Sequence, residues 1–272
     1  MSDARLLSDR VAVVTGAGRG IGRLIASRFA REGARVALLS RSEGPLRATE
    51  AEIRASGAEV VGVVTDVADR GQVEAAFGRV TDDLGPPVIV VNCAQSWGLP
   101  DNPPVDVPHT PLERISDAEW VHTFHSGLMG SFYCMIAAFP SMRARGWGRI
   151  INFSSPMAAQ VVPGFAAYSA TKAAIVSLTK TAAREWGRYG ITANCLSPIV
   201  IDDGQRNRLT AIQDDGERQR AEDRLSATLC VPRDVDSAEG VLATALFLAS
   251  DNSAFITGSL VEANGGFSLG TS

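Results

Sequence analysis

The sequence predicts an α/β fold in which a parallel β-sheet is covered by helices on both faces. Three observations predict it. Short runs of Val, Ile and other apolar residues recur along the chain, and stretches with helical spacing alternate with them. A glycine-rich turn joins the first apolar run to the first helical stretch. The chain has 272 residues, 45% of them hydrophobic and 21% charged, enough for one α/β domain with a sizeable core.

The elements follow in order. Val11-Ala12-Val13-Val14-Thr15 reads as a buried strand. After the glycine turn, Ile21, Leu24, Ile25 and Phe29 recur at helical spacing. Arg35 to Leu39 is a second strand and Pro45 to Ala55 a second helix. Val60 to Thr65 is a third strand, followed by a helix near Gln72 to Leu84. Val88 to Asn92, Arg149 to Phe153 and Thr192 to Leu196 are the fourth, fifth and sixth strands. Their continuous apolar character fits strands buried on both sides.

Two stretches break the rhythm. Ser96 to Pro111 holds five prolines and reads as a long loop, either shaping a site or forming a surface insertion. Ile199 to Cys230 is polar and charged with a helical middle, and its position after a strand's carboxyl end favours a functional loop.

Composition excludes several classes. The net charge is −4 and no basic run stands out, so nucleic acid is not an expected partner. No apolar stretch approaches the roughly 20 residues of a membrane span. The opening residues lack the long apolar core of a signal peptide. Cys93, Cys134, Cys195 and Cys230 are far apart and show no metal-ligand spacing. Free thiols in a reducing cytoplasm are the expectation. His109, His122 and His125 suggest no metal triad, and the run from Asp214 to Arg218 reads as a solvated face.

The turn Thr15-Gly16-Ala17-Gly18-Arg19-Gly20-Ile21-Gly22 carries the first functional signal. Any tight turn favours glycine. Between a strand and a helix, however, glycines let the backbone approach a pyrophosphate, and the helix start offers N–H groups and a positive dipole end. A carboxylate at the end of the second strand would hold the ribose 2′-OH of NAD. Ser40-Arg41-Ser42 stands there instead, and Arg19 lies within the turn. Two guanidinium groups suit a 2′-phosphate, so the expectation is NADP(H) over NAD(H), with solvated surface arginines as the alternative.

The second signal is Tyr168-Ser169-Ala170-Thr171-Lys172, at the head of an apolar helical stretch running to Trp186. Tyr168 and Lys172 are four apart and share a helix face. A buried ammonium beside the phenol would favour phenolate and lower its pKa from about 10. Ser155 lies where the fifth strand ends, with a hydroxyl able to bond a substrate oxygen. Such a pair alone is usually surface decoration; with the glycine turn and Ser155 it becomes specific.

With these residues in view, the chain resembles the short-chain dehydrogenase/reductase family over nearly its whole length. The glycine turn matches the family's cofactor motif, and Asp66-Val67 its adenine-contacting pair. Tyr168 and Lys172 match its Tyr-x-x-x-Lys, Ser155 falls at its serine, and residues 256–266 look like its C-terminal strand segment. The resemblance implies a single Rossmann-like domain over residues 1–272, with a mostly parallel seven-stranded sheet and a substrate loop at about 199–230. It implies that Tyr168 transfers a proton, that Lys172 binds the nicotinamide ribose and lowers the tyrosine's pKa, and that Ser155 positions the substrate oxygen. Cofactor contacts are expected from Gly16, Gly18, Arg19, Gly20, Ile21, Gly22, Ser40, Arg41, Asp66, Val67, Asn92, Ala94, Tyr168, Lys172, Pro198 and Ile201. Gln95, Trp97, Pro156 and Met157 are expected to line the substrate pocket, and no metal is expected. A homotetramer acting on a small carbonyl or alcohol is the implied assembly and partner.

The chain departs from the family pattern in places. Asn-Asn-Ala-Gly after the fourth strand is Asn92-Cys93-Ala94-Gln95 here, so a side chain replaces a glycine. The family's asparagine in the following helix, which holds a proton-relay water, falls at Gly127. Ser126 or His125 can substitute for it, and Gly127→Asn is expected to be tolerated. Pro-Gly after the sixth strand is Pro198-Ile199, and Asp203 stands where a threonine is usual. The function expected is hydride transfer between NADP(H) and a ketone or secondary alcohol. A dehydratase or epimerase of the same fold, and a non-catalytic cofactor sensor, are the alternatives.

Overall fold

The structure is a computed structural model that describes residues 5–96, 110–160, 162–200, 214–217, 219, 230–231 and 237–269. Among these residues seven strands form one sheet: β1 (Val11–Thr15), β2 (Arg35–Ser40), β3 (Val60–Val64), β4 (Ile89–Asn92), β5 (Gly148–Phe153), β6 (Ile191–Pro198) and β7 (Leu260–Ala263). Their order is β3-β2-β1-β4-β5-β6-β7, and every neighbouring pair is parallel. The expected boundaries shift by a residue or two at strand ends, where pairing with neighbours decides the last hydrogen bond.

The α-helices that flank the sheet among the described residues are α1 (Gly20–Arg31), α2 (Glu43–Ala55), α3 (Arg70–Leu84), α4 (Asp117–Phe124), α5 (Gly130–Arg145), α6 (Ala166–Trp186) and α7 (Ser237–Ala249). Two cores result, one per face. Ile25 and Phe29 of α1, Leu46 and Ile53 of α2, and Val241 and Leu246 of α7 pack on one side. Val73 and Phe77 of α3, Met135 and Met142 of α5, and Ala182 of α6 pack on the other. Adjacent strand residues alternate between the cores, Val14 and Ile151 facing one, Val13 and Ile150 the other, so the middles of β1, β4 and β5 are apolar on both faces. Among the described residues no helix is long and apolar enough to cross a membrane.

A π-helical turn, His125–Met129, joins α4 to α5. Such turns leave helix carbonyls without their usual N–H partner and tend to mark functional positions. Strands β4, β5 and β6 carry buried polar residues in register: Asn92 lies opposite Asn152, and Asn152 opposite Cys195. Asn92 Nδ2 donates to Asn152 Oδ1 (2.8 Å), and Asn152 Nδ2 to Thr179 Oγ1 of α6 (2.8 Å). This buried chain fixes α6 over the carboxyl ends of β4 and β5, where the expected reaction residues stand.

Candidate active site

Connections leave β1 and β4 in opposite directions, which opens a crevice above their carboxyl ends. The glycine turn lies in it. Gly16 has φ +67°, a left-handed value that favours glycine, and a Cβ on it would stand 3.1 Å from the backbone of Ala94. A Cβ on Gly22 would meet Gly16 O at 2.6 Å, so α1 packs directly on the turn. Thr15 Oγ1 accepts hydrogen bonds from the N–H groups of Cys93 (3.1 Å) and Ala94 (3.0 Å), tying the turn to the segment after β4. The first turn of α1 has no side-chain cap and no acidic residue. Its N–H groups and positive dipole end are therefore left without a side-chain partner beside Gly18, Arg19, Gly20 and Ile21, an arrangement suited to an anion.

The end of β2 touches this turn: a Cβ on Gly18 would meet Ser40 Oγ at 3.0 Å. Arg19 and Arg41 are exposed. Arg41 lies 3.9 Å from Asp66 Oδ2 and donates to Ser96 Oγ (3.2 Å). Ser96 Oγ also bonds His122 Nε2 (2.9 Å). Burial and the neighbouring Arg41 cation push the His122 imidazole below its usual range, so it is a satisfied neutral group. Asp66 Oδ1 accepts from Ala68 N–H (3.0 Å), and Val67 is buried beside it. Pro198 ends β6, and the Ile199 N–H donates to Ala263 O (3.1 Å). An uncapped helix start, a glycine cradle and two exposed cations fit a phosphorylated dinucleotide.

Across the crevice, Ser155 leaves β5 and caps a short turn by accepting from Met157 N–H (3.3 Å). Tyr168 stands on the first turn of α6, its ring T-shaped against Phe165, with centroids 6.4 Å apart. Lys172 follows one turn later. It is buried, its Nζ donates to Phe153 O (2.8 Å), and it lies 5.6 Å from the Tyr168 ring centroid. The structure thus brings Ser155, Tyr168 and Lys172 together at the ends of β5 and α6.

The electrostatics differ from the sequence expectation. Burial raises the Tyr168 phenol above its ordinary value, partly offset by a hydrogen bond with Ser155. Burial also pushes Lys172 down to about 8, opposed by the nearby Cys93 and Cys195. In the free protein, desolvation of both groups outweighs any stabilisation of phenolate by the ammonium. Dry surroundings raise Cys93 as well and bring Cys195 to about 11, so neither thiol is a nucleophile near neutrality.

The expected vacancy at Gly127 is filled. Gly127 lies in the π-helical turn, and a Cβ there would collide with Gln95 Oε1 and stand 2.6 Å from Thr171 Cγ2. Gln95 Nε2 donates to Ser96 O (2.8 Å) and to Thr123 O (3.0 Å), the second a carbonyl beside the π-helical turn. Nε2 also lies 3.4 Å from Ser126 Oγ; the two carbonyl partners can only accept, so the carboxamide orientation is determined and Oε1 points towards Gly127. A side chain at Gly127 would therefore have to displace the Gln95 carboxamide, which occupies that space. Sequence reading missed this because it took the two departures one at a time. The available signal was their reciprocity, a side chain in place of one glycine and a glycine in place of one side chain.

Pro156 is buried and Met157 half-buried on the turn after Ser155. Trp97, Ile201 and Asp203, like most of the two long loops, lie outside the described residues. All four cysteines are free.

Comparison with known proteins gives a consistent result. A family model described as enoyl-(acyl carrier protein) reductase matches residues 16–268. The chain is 34% identical to the short-chain reductase protein NovJ of Streptomyces niveus, over 97% of this chain and 96% of that protein. It is 36% identical to the 3-oxoacyl-(acyl-carrier-protein) reductase FabG of Staphylococcus aureus, over 94% of this chain and 96% of the relative. Among solved structures, a gluconate 5-dehydrogenase from Burkholderia cenocepacia in complex with NADP and tartrate superposes with a TM-score of 0.84. It is 31% identical, and the match covers 97% of each chain.

Proposed function

Because the chain belongs to the short-chain dehydrogenase/reductase family of oxidoreductases, we propose that it reduces a ketone to a secondary alcohol with NADPH as the preferred cofactor. The observation that carries the reading is the convergence of Ser155, Tyr168 and Lys172 beside a glycine cradle at the same crevice.

A bound nicotinamide supplies the hydride. The chain's own residues do the rest. Ser155 offers its hydroxyl to the carbonyl oxygen, and that hydrogen bond strengthens as negative charge develops. Tyr168 is held as a neutral phenol by burial, so at neutral pH it is the acid that gives its proton to the forming alkoxide. Lys172, anchored on Phe153 O, stands within one helical turn as the cation that steadies the phenolate left behind. The NADP preference is supported by Ser40 and the two exposed arginines, Arg19 and Arg41, with no carboxylate at the end of β2. The substrate class stays at the level of a small ketone; the names of the relatives span acyl-carrier and sugar-acid chemistry.

The test is a fluorescence titration with NADPH and NADH, followed by a ketone panel at the NADPH absorbance band. Alicyclic, steroidal and acyl-thioester ketones belong in the panel. NADPH is expected to bind more tightly, and Arg41→Asp to reverse the order by about 10-fold or more, the scale of removing one charge-assisted hydrogen bond and adding a repulsion. Equal affinities in the wild type overturn the NADP assignment. A protein that binds both cofactors but turns over no ketone overturns the reductase reading.

A further inference from the structure

A line of side chains runs from the cofactor rim to α4. Arg41, just past the end of β2, donates from Nη2 to Ser96 Oγ (3.2 Å), and Ser96 Oγ bonds Nε2 of His122 (2.9 Å), in the last turn of α4. Ser96 itself is pinned. Its N–H donates to Ser126 Oγ (3.1 Å), and its carbonyl accepts from Gln95 Nε2 (2.8 Å). The exposed guanidinium that the NADP reading sets against a 2′-phosphate is thus joined to a half-buried imidazole by one hydroxyl. A hydroxyl has one hydrogen and two lone pairs. Arg41 can only donate, so it takes one lone pair of Ser96 Oγ. While His122 is neutral, its Nε2 can accept the hydroxyl hydrogen. As an imidazolium it can only donate, which fills the second lone pair and leaves the hydroxyl hydrogen for a ligand oxygen. In the free protein, burial and then the Arg41 cation hold His122 below its usual range, opposed by Asp66. α4 also packs on the π-helical turn, which carries His125, and on α6, which carries Tyr168 and Lys172 at the reaction site. Its own carboxylates are Asp117 and Glu119, the second bonded to Thr110 Oγ1 (3.0 Å).

We propose that His122 is a positioning residue for the 2′-phosphate of NADP(H): it takes up one proton as that cofactor binds, and by donating to Ser96 Oγ it frees the Ser96 hydroxyl to join Arg41 on the phosphate. The inference rests on the NADP reading. The proton comes from solvent and returns to it when the cofactor leaves, so one N–H bond forms and breaks and no other covalent bond changes. A phosphate dianion offsets the Arg41 charge that opposes protonation and adds negative charge beside it. The binding event that needs the extra donor therefore also favours the imidazolium. NAD(H) carries a hydroxyl at the same place and supplies neither effect. The sign follows by linkage. NADP(H) selects the protonated form of His122, so its affinity rises as pH falls through the histidine range, while that of NAD(H) does not.

Fluorescence titrations with NADPH and NADH between about pH 6.5 and 8, in phosphate-free buffers, test it with the wild type, His122→Gln and Ser96→Ala. In the wild type the Kd for NADPH should fall about 3-fold or more, relative to that for NADH, from the top of this range to the bottom; one linked proton allows at most about 10-fold per pH unit. The phosphate's own second ionisation, near pH 6, acts in the opposite direction and equally in every variant. His122→Gln keeps a group able to donate to Ser96 Oγ but does not titrate, so the NADPH advantage should persist and its pH slope disappear. Ser96→Ala should weaken NADPH about 10-fold, the value of one hydrogen bond to a charged group, leave NADH within a few-fold, and lose the slope. Calorimetry in buffers of different ionisation heat should show the wild type taking up more protons with NADPH than His122→Gln does. A role for His122 confined to packing would move none of these slopes. An NADPH preference that does not change with pH, or the same slope in His122→Gln, overturns the proposal. If His122→Gln does not fold, Ser96→Ala decides: a lost slope supports the proposal and a kept slope overturns it. Equal affinities for the two cofactors at every pH remove the NADP reading, and the inference with it.

Discussion

The two halves of the crevice are built on different principles. On the side of β1 and β2 the main chain forms the site: a left-handed Gly16, a close-packed Gly22 and an uncapped helix start make a cradle from backbone groups. On the side of β4, β5 and α6 the site is made of side chains: Ser155, Tyr168, Lys172 and Gln95, each fixed by a hydrogen bond or by burial. A backbone cradle tolerates few substitutions at its glycines but leaves its rim free to choose a cofactor. A side-chain site can exchange the positions that supply a group while keeping the group in place, and Gln95 with Gly127 is such an exchange.

The sharpest test of the side-chain half is Tyr168→Phe. It keeps the ring against Phe165 and removes only the proton donor. Turnover on any accepted ketone should fall at least about 10²-fold, the usual range for loss of a general acid, with NADPH affinity little changed. Near-wild-type turnover would mean the proton comes from elsewhere and would remove the contrast between the two halves.

A smaller effect is expected where the halves join. Thr15→Val keeps the shape of the side chain and strips the acceptor shared by Cys93 and Ala94 N–H. Two backbone donors left unmet should cost about 2–4 kcal/mol and lower the Tm by roughly 5–10 °C. NADPH and NADH should lose affinity equally, because the cradle and not its rim is disturbed; a selective loss of one cofactor would place Thr15 on the rim instead.

The smallest effect is a pH dependence. Lys172 has a folded-state pKa near 8, below its unfolded value. Its burial therefore opposes folding fully below about pH 8, and stability is regained as pH rises towards the unfolded pKa of about 10.4. Tyr168 and the buried cysteines shift the other way, but they are common to both proteins in a comparison. The Tm difference between Lys172→Met and the wild type, measured without cofactor, should thus favour the variant most at pH 7 and shrink between about pH 8 and 9.5. A difference constant across that range would show that Lys172 keeps an undepressed pKa and stays charged in the folded protein.

How much the sequence revealed follows the same division. The parallel sheet, the glycine turn and the i, i+4 placement of Tyr168 and Lys172 were legible, because each is a local pattern with a local cause. The Gln95–Gly127 pairing was not, since the two positions meet only once the π-helical turn folds back over the end of β4. The direction of the Tyr168 shift was misread for a related reason. Spacing shows which charges are neighbours but not how dry their surroundings become, and dryness dominates here.

The strand order also dictates when the cradle can exist during synthesis. The first three strands emerge in sequence and are neighbours in the sheet, so they can pair as soon as they appear. β1 keeps an open edge until Ile89 to Asn92 arrive to pair with Ala12 to Thr15. Until then Thr15 lacks both of its N–H donors, and nothing closes over Gly16. A nascent chain that ends at Gly85 already contains the whole glycine turn, α1 and β2, yet the pocket they serve has only one wall. Cofactor can therefore help to stabilise the folding chain only after the fourth strand has inserted, and the step it can reward is that insertion itself.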